Sequence, residues 1–130
     1  MKEIKPGVKA SLEKLVKYED TAAALGNKDV EVFATPVMVS LMEITCAQAL
    51  EPYLEEGEGS VGVSLEIRHI APTPVGMKVT SNAELTKVDG VKMEFKVEVF
   101  DENEKVGEGI HKRAVIDMDK FFKMVEKKKK

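Results

Sequence analysis

The stretch Thr35-Pro36-Val37-Met38-Val39-Ser40-Leu41-Met42-Glu43-Ile44-Thr45-Cys46-Ala47-Gln48-Ala49-Leu50 carries a single charge, Glu43, and its pattern predicts a helix. Pro36 suits the first helical position, where its missing N–H removes no intrahelical bond, and Thr35 before it can serve as the cap. Val37, Met38, Leu41, Met42, Ile44, Ala47, Ala49 and Leu50 extend apolar surface around more than one face, so the helix must be covered on most sides. The remainder of the chain therefore has to wrap it. Glu43 sits in the middle, where an ionised carboxylate costs several kcal/mol unless it is paired, hydrogen-bonded or reached by water. Pro52 ends the helix near residues 51–53.

After a polar loop at residues 55–60 the period changes from helical to two. Val61, Val63, Leu65 and Ile67 form one apolar strand face, and His69 joins it pointing toward the core. Ala71-Pro72-Thr73-Pro74-Val75-Gly76 breaks that strand, and a second runs over residues 77–88. Asp89-Gly90 reads as a two-residue type I′ turn. Val91, Met93, Phe95, Val97 and Val99 then alternate with charged residues in a half-buried strand. Residues 101–104 turn the chain into a last strand over 105–117, where Gly107 and Gly109 mark a bulge or a close approach of another backbone. Ahead of the helix, residues 11–18 form a first strand, 21–25 a helical turn stopped by Gly26-Asn27, and 30–33 an extended piece. Phe121, Phe122 and Val125 form a C-terminal helical turn before the solvated tail Lys127 to Lys130.

The order is one strand, a buried helix and four strands joined mostly by short turns. It predicts a single α+β domain over residues 1–130, with an antiparallel sheet curled around the helix. One such wrap leaves part of the helix bare, and a second copy would complete its burial. A net charge of −3, with two Tyr, five Phe and no Trp, lacks the basic, aromatic-studded surface of a nucleic-acid binder. No apolar run approaches the roughly 20 residues of a membrane span, and residues 1–6 lack a signal-peptide core. With the lone Cys46 these features fit a cytoplasmic chain with no membrane partner. Two widely separated histidines and that cysteine give no metal-ligand spacing.

Glu43 reads either as a polar residue at a helix edge or subunit interface, paired with a cation from elsewhere, or as a catalytic carboxylate. No Lys or Arg lies within one turn of it. His69 reads as a satisfied core histidine or as a general acid–base. Thr35 is explained by capping, although a helix N-terminus also offers N–H groups to a developing oxyanion.

Val32-Phe33-Ala34-Thr35, the helix with Glu43, Leu54-Glu55-Glu56-Gly57-Glu58-Gly59-Ser60-Val61-Gly62, and His69 followed by Ala71-Pro72-Thr73-Pro74-Val75-Gly76 together resemble the hot-dog-fold thioesterases related to fluoroacetyl-CoA thioesterase. His111-Lys112-Arg113-Ala114-Val115-Ile116 extends the resemblance. It implies hydrolysis of a small acyl-CoA thioester by Thr35, Glu43 and His69, with no cofactor beyond the coenzyme A of the substrate. It also implies a homodimer or dimer of dimers. Gly62 matches an active-site glycine of that family, where a missing side chain lets an acyl group approach. Arg68, Lys78, Lys112 and Arg113 are the cations on offer to the coenzyme's phosphates, and Arg113 is taken with Gly62 as substrate-binding. Thr35 and Glu43 stand roughly 12 Å apart along the helix and about 80° around it, which implies a composite site at a dimer interface. The family's lid phenylalanines are replaced by Gly26, Asn27, Lys28, Asp29 and Val30, so the resemblance does not carry fluoroacetyl selectivity. A non-catalytic acyl-CoA-binding module is the alternative reading.

Overall fold

In the computed structural model, which describes residues 1–129, the apolar helix α1 spans Thr35–Leu50. It passes into a 3₁₀ turn at Glu51–Tyr53, where Pro52 cannot donate to a preceding carbonyl. Around it lies one antiparallel sheet of β1 (Lys9–Leu15), β2 (Glu58–His69), β3 (Lys78–Asp89), β4 (Lys92–Phe100) and β5 (Lys105–Asp117). The spatial order is β1-β3-β4-β5-β2, so β1 and β2 are the edges. This is the hot-dog arrangement: the sheet wraps a helix that no single flat face could cover.

The core lies between α1 and the concave face. Met38, Leu41, Met42, Cys46 and Leu50 pack with Val79 and Leu85 of β3, with Met93, Phe95, Val97 and Val99 of β4, and with Val106 and Val115 of β5. Each large side chain so buried contributes about 1.5–3 kcal/mol. Thr45 is accommodated because its hydroxyl lies 2.6 Å from the Leu41 carbonyl and 2.9 Å from Ser81 Oγ. One stripe of α1, Pro36, Ser40, Ile44 and Gln48, stays exposed, with Ile44 at 48%.

At the helix entry, in β2 and at the β3–β4 hairpin the structure departs from the sequence reading in three ways, and β1 covers Lys9–Leu15 rather than 11–18. Ala34, not Thr35, occupies the cap position, with no side-chain cap bond, so Thr35 and Pro36 are the first and second helical residues. The β2–β5 register shifts between Gly62 and Ser64, leaving Val63 as a bulge residue 64% exposed. A bulge reverses the alternation: Ser60 and Gly62 precede it on the face toward α1, and Leu65, Ile67 and His69 follow it there. Val61 and Val63 therefore do not share the face of His69. Third, Asp89 pairs with Lys92, so the hairpin loop is Gly90-Val91. Gly90 has φ 61 and Val91 is not among the positive-φ residues, which is a II′-like rather than a I′ pattern.

Gly109 marks the expected close approach of another backbone, whereas Gly107 is approached by side chains of α1. A Cβ on Gly107 would lie 2.5 Å from Met38 Sδ, and one on Gly109 would lie 2.7 Å from the Glu66 carbonyl of β2. The C-terminal turn is longer than expected: α2 covers Met118–Lys127, capped by Asp117, which accepts from the Lys120 amide at 3.1 Å. Lys130 lies outside the described residues.

Candidate active site

Because Thr35 is not spent on capping, its hydroxyl can serve a tertiary contact. Its Oγ1 lies 2.7 Å from His69 Nδ1 at the end of β2. Pro36 has no N–H, and the Val37 and Met38 amides both donate to the Ala34 carbonyl at 3.1 and 3.0 Å. The expected set of free helix amides thus shrinks to the Thr35 N–H, which has no partner among the described residues. Phe33 meets the His69 ring edge-on, with centroids 6.3 Å apart. His69 Nε2 is buried and has no hydrogen-bond partner among the described residues. Burial pulls the His69 pKa below its ordinary value, with the Ala71 backbone opposing. The ring is therefore held toward its neutral, proton-accepting form.

A cavity of about 320 Å³ opens beside this pair, walled by Val30, Val32, Phe33, Ile70, Ala71 and Pro72. The wall from residue 22 to residue 33 is a closed loop. The Ala22 and Ala23 amides donate to the Val32 and Val30 carbonyls at 2.9 and 2.7 Å, and Asp29 turns the chain at φ 69.

Glu43 belongs to a second cluster within the same chain. Its Oε2 lies 3.7 Å from Arg113 NH1, and Arg113 of β5 is the cation that the sequence left unidentified. Arg113 is only 7% exposed; its Nε donates to Ser60 Oγ at 3.1 Å and its NH2 to the Ser60 carbonyl at 3.0 Å. The guanidinium thus stands behind Glu43 and is held there, a poor posture for gripping a phosphate in solvent. Gly62 faces the same carboxylate: a Cβ there would come 2.6 Å from Glu43 Oε2. Cys46 lies close enough for the charges of Arg113 and Glu43 to act on it, and burial pushes its thiol up to about 12, which leaves it inert.

The structure therefore joins Thr35 to His69 and Glu43 to Gly62 and Arg113. It brings no contact between the two clusters within one chain. Sequence reasoning gave no role to His111, whose Nε2 lies 3.1 Å from Arg113 NH1. The period of two along β5 was the available signal, since it places residues 111 and 113 on one face.

The family model described as fluoroacetyl-CoA-specific thioesterase matches residues 16–119 of the chain. The fluoroacetyl-CoA thioesterase of Streptantibioticus cattleyicolor is 47% identical over 98 residues, covering 75% of this chain and 70% of that protein. A crystallised variant of FlK, a fluoroacetyl-CoA protein, in complex with acetyl-CoA superposes with a TM-score of 0.91 at 37% identity, covering 96% and 98% of the two chains. A hot-dog-like protein from Thermanaerovibrio acidaminovorans superposes with a TM-score of 0.88 at 26% identity, over 95% and 91%.

Proposed function

The chain belongs to the fluoroacetyl-CoA-specific thioesterase family and through that membership is a thioester hydrolase; on this premise we propose that Thr35, Glu43 and His69 hydrolyse a small acyl-CoA at a site shared between two copies of the chain. The observation that carries the proposal is the 2.7 Å contact between Thr35 Oγ1 and His69 Nδ1 beside an apolar cavity. A hydroxyl next to a neutral imidazole can pass its proton to that ring as it attacks a carbonyl carbon. The ring then returns the proton to the departing thiolate, and water hydrolyses the acyl group with Glu43 as the base that activates it. Direct attack by water would use the same groups, and the unpartnered Thr35 N–H supports its use in polarising the carbonyl.

Glu43 comes from a second copy in this reading, because its carboxylate lies half-exposed along the open side of α1. Ile44 and the bulged Val63 are exposed on the neighbouring surface, and a partner would cover them. Gly62 and Arg113 line the Glu43 side of the substrate site. Coenzyme A enters as part of the substrate, and no resident cofactor takes part.

The testing experiment is thiol release from short, medium and aromatic acyl-CoA esters by the wild type, Glu43→Ala and His69→Ala. Turnover that both substitutions reduce on the order of 10²-fold or more, with folding intact, supports the assignment. Losses below about threefold at both sites remove them from the mechanism. Tight binding of an ester without turnover replaces hydrolysis with acyl-CoA binding.

A further inference from the structure

We propose that His111 is a positioning residue for Glu43: it holds the Arg113 guanidinium through NH1 and so keeps that group from closing a direct hydrogen bond onto the Glu43 carboxylate. The proposal rests on the reading of Glu43 given above. It starts from the ring itself, which is 1% exposed. His111 Nδ1 lies 2.9 Å from the Ser64 carbonyl, a group that can only accept, so Nδ1 carries the hydrogen. In a neutral imidazole the other nitrogen is then an acceptor. Nε2 faces Arg113 NH1 at 3.1 Å, and a guanidinium can only donate. The β2 backbone at Ser64 thus fixes the tautomer, and the tautomer fixes the arginine.

Arg113 is held at its other two nitrogens by Ser60, so its position is set from three sides. Against that frame, NH1 to Glu43 Oε2 is 3.7 Å, a charge contact beyond hydrogen-bond length. Glu43 feels the positive charge while its oxygens stay free toward the open side of the helix. The charged groups acting on the ring are Glu43 from α1 and Arg113 from β5, with Cys46 of α1 beyond them beside that pair; β2 contributes Ser60, Gly62 and Ser64. Burial, opposed by the Ser64 bond, lowers the His111 pKa and favours the neutral ring that this arrangement needs.

The test compares wild type, His111→Phe and His111→Gln by crystal structure and by kcat and KM. The apolar ring of the Phe variant cannot accept from NH1. Arg113 is expected to close on Glu43, taking the 3.7 Å separation below about 3.2 Å. Tying up the carboxylate is expected to lower kcat about tenfold or more, with KM within about threefold. The Gln variant offers an amide oxygen and is expected to keep the separation and recover most of kcat. An unchanged separation in the Phe variant overturns the proposal whatever turnover does, as does a Gln variant that behaves like Phe. A closed separation with unchanged turnover upholds the role of His111 and overturns instead the use of Glu43 in the reaction. The ¹⁵N chemical shifts of the wild-type ring need no variant: a neutral ring protonated at Nε2 overturns the proposal.

Discussion

Thr35 Oγ1 and His69 Nδ1 stand 2.7 Å apart, joining the first residue of the central helix to the last residue of an edge strand 34 positions later in the chain. A threonine that caps a helix directs its oxygen at the amides of its own first turn. Here Ala34 fills the cap position, so the hydroxyl is free to meet the imidazole.

That distinction separates activity from stability. Thr35→Ala is expected to lower turnover on the order of 10²-fold. Its stability should fall by no more than about 1 kcal/mol, the worth of the single bond to His69, because no cap bond is lost with it. Thiol release and thermal denaturation of the same preparation decide the matter. A fall in melting temperature with turnover retained would return Thr35 to a structural role.

Two glycines on the concave face should separate in the same way. An alanine methyl at residue 62 would meet Glu43 Oε2 at 2.6 Å and His111 Cε1 at 3.3 Å. The carboxylate can swing toward solvent, so Gly62→Ala is expected to fold with a stability change under about 1 kcal/mol. Misplacing that carboxylate should cost about tenfold or more in kcat. At residue 107 the methyl would meet Met38 Sδ at 2.5 Å and Met38 Cε at 2.8 Å, inside a side chain that is fully buried. Gly107→Ala is therefore expected to lose about 1–3 kcal/mol of stability by overpacking. Urea denaturation read beside kcat distinguishes the two outcomes.

Much of this was legible in the sequence, and the exceptions share a cause. The helix was bounded by Pro36 and Pro52, β4 by its strict alternation, and His69 was correctly aimed at the core. What failed were inferences that extended a local rule across a tertiary event. The apolar alternation of β2 reads as continuous, but a bulge at Val63 turns it over, and the one local mark of the slip is Gly62 just before it. Thr before Pro satisfies every local condition for a cap, yet the hydroxyl went to a partner on another element. The counter-charge of Glu43 could not be found along its own helix because it lies on β5. His111 was visible as a motif residue; only its contact with Arg113 gives it a part to play.

The histidines also set how stability depends on pH. Burial holds both His69 and His111 below their ordinary value of 6.5. Between each lowered value and 6.5 the unfolded chain binds more protons than the folded one, so stability rises with pH across that window and is lost on acidification through it. The Met1 amine is shifted the other way by the hydrogen bonds it donates to Glu55 and Glu58, so its contribution is complete below 8.0 and fades above. The urea midpoint is therefore expected to be flat between pH 6.5 and 8 and to fall on both sides. Carboxylates such as Glu108, held at about 2 by Lys105 and Arg68, act only below 4.5 and leave the histidine window clear. Replacing both histidines with amides should flatten the acid side between pH 6.5 and 4.5.

The cavity proposed to take the acyl group carries an expectation about selectivity. Where the resembling family places lid phenylalanines, this chain has a polar turn closed by its own backbone bonds, and the cavity beside Thr35 and His69 is walled by Val30, Val32 and Ile70. No aromatic gate is present in that segment to discriminate a fluorine from a hydrogen on the acetyl group. The ratio of kcat/KM for fluoroacetyl-CoA to acetyl-CoA is expected to be about tenfold or less, the scale of a small difference in pocket contacts. A ratio above about a thousandfold would require a gate elsewhere.

The proposed sharing of the site between two copies makes the most direct demand. Within one chain Thr35 contacts His69 and Glu43 contacts Arg113, and the helix holds the two groups roughly 12 Å apart. If a partner supplies Glu43, a dimer of one Glu43→Ala chain and one His69→Ala chain keeps one complete site, formed by His69 of the first and Glu43 of the second. Unfolding the two inactive variants together and refolding them as an equal mixture makes half the dimers mixed. Each mixed dimer has one working site of two, so about a quarter of wild-type activity should return. The same variants refolded separately and assayed together before exchange should stay inactive. Sites complete within a single chain would give no recovery under either protocol, because every chain in the mixture lacks one of its own groups. A recovered activity that disappears on dilution would further tie turnover to association, and substituting Ile44 with Glu on the exposed stripe of α1 should abolish the recovery by preventing the copies from meeting.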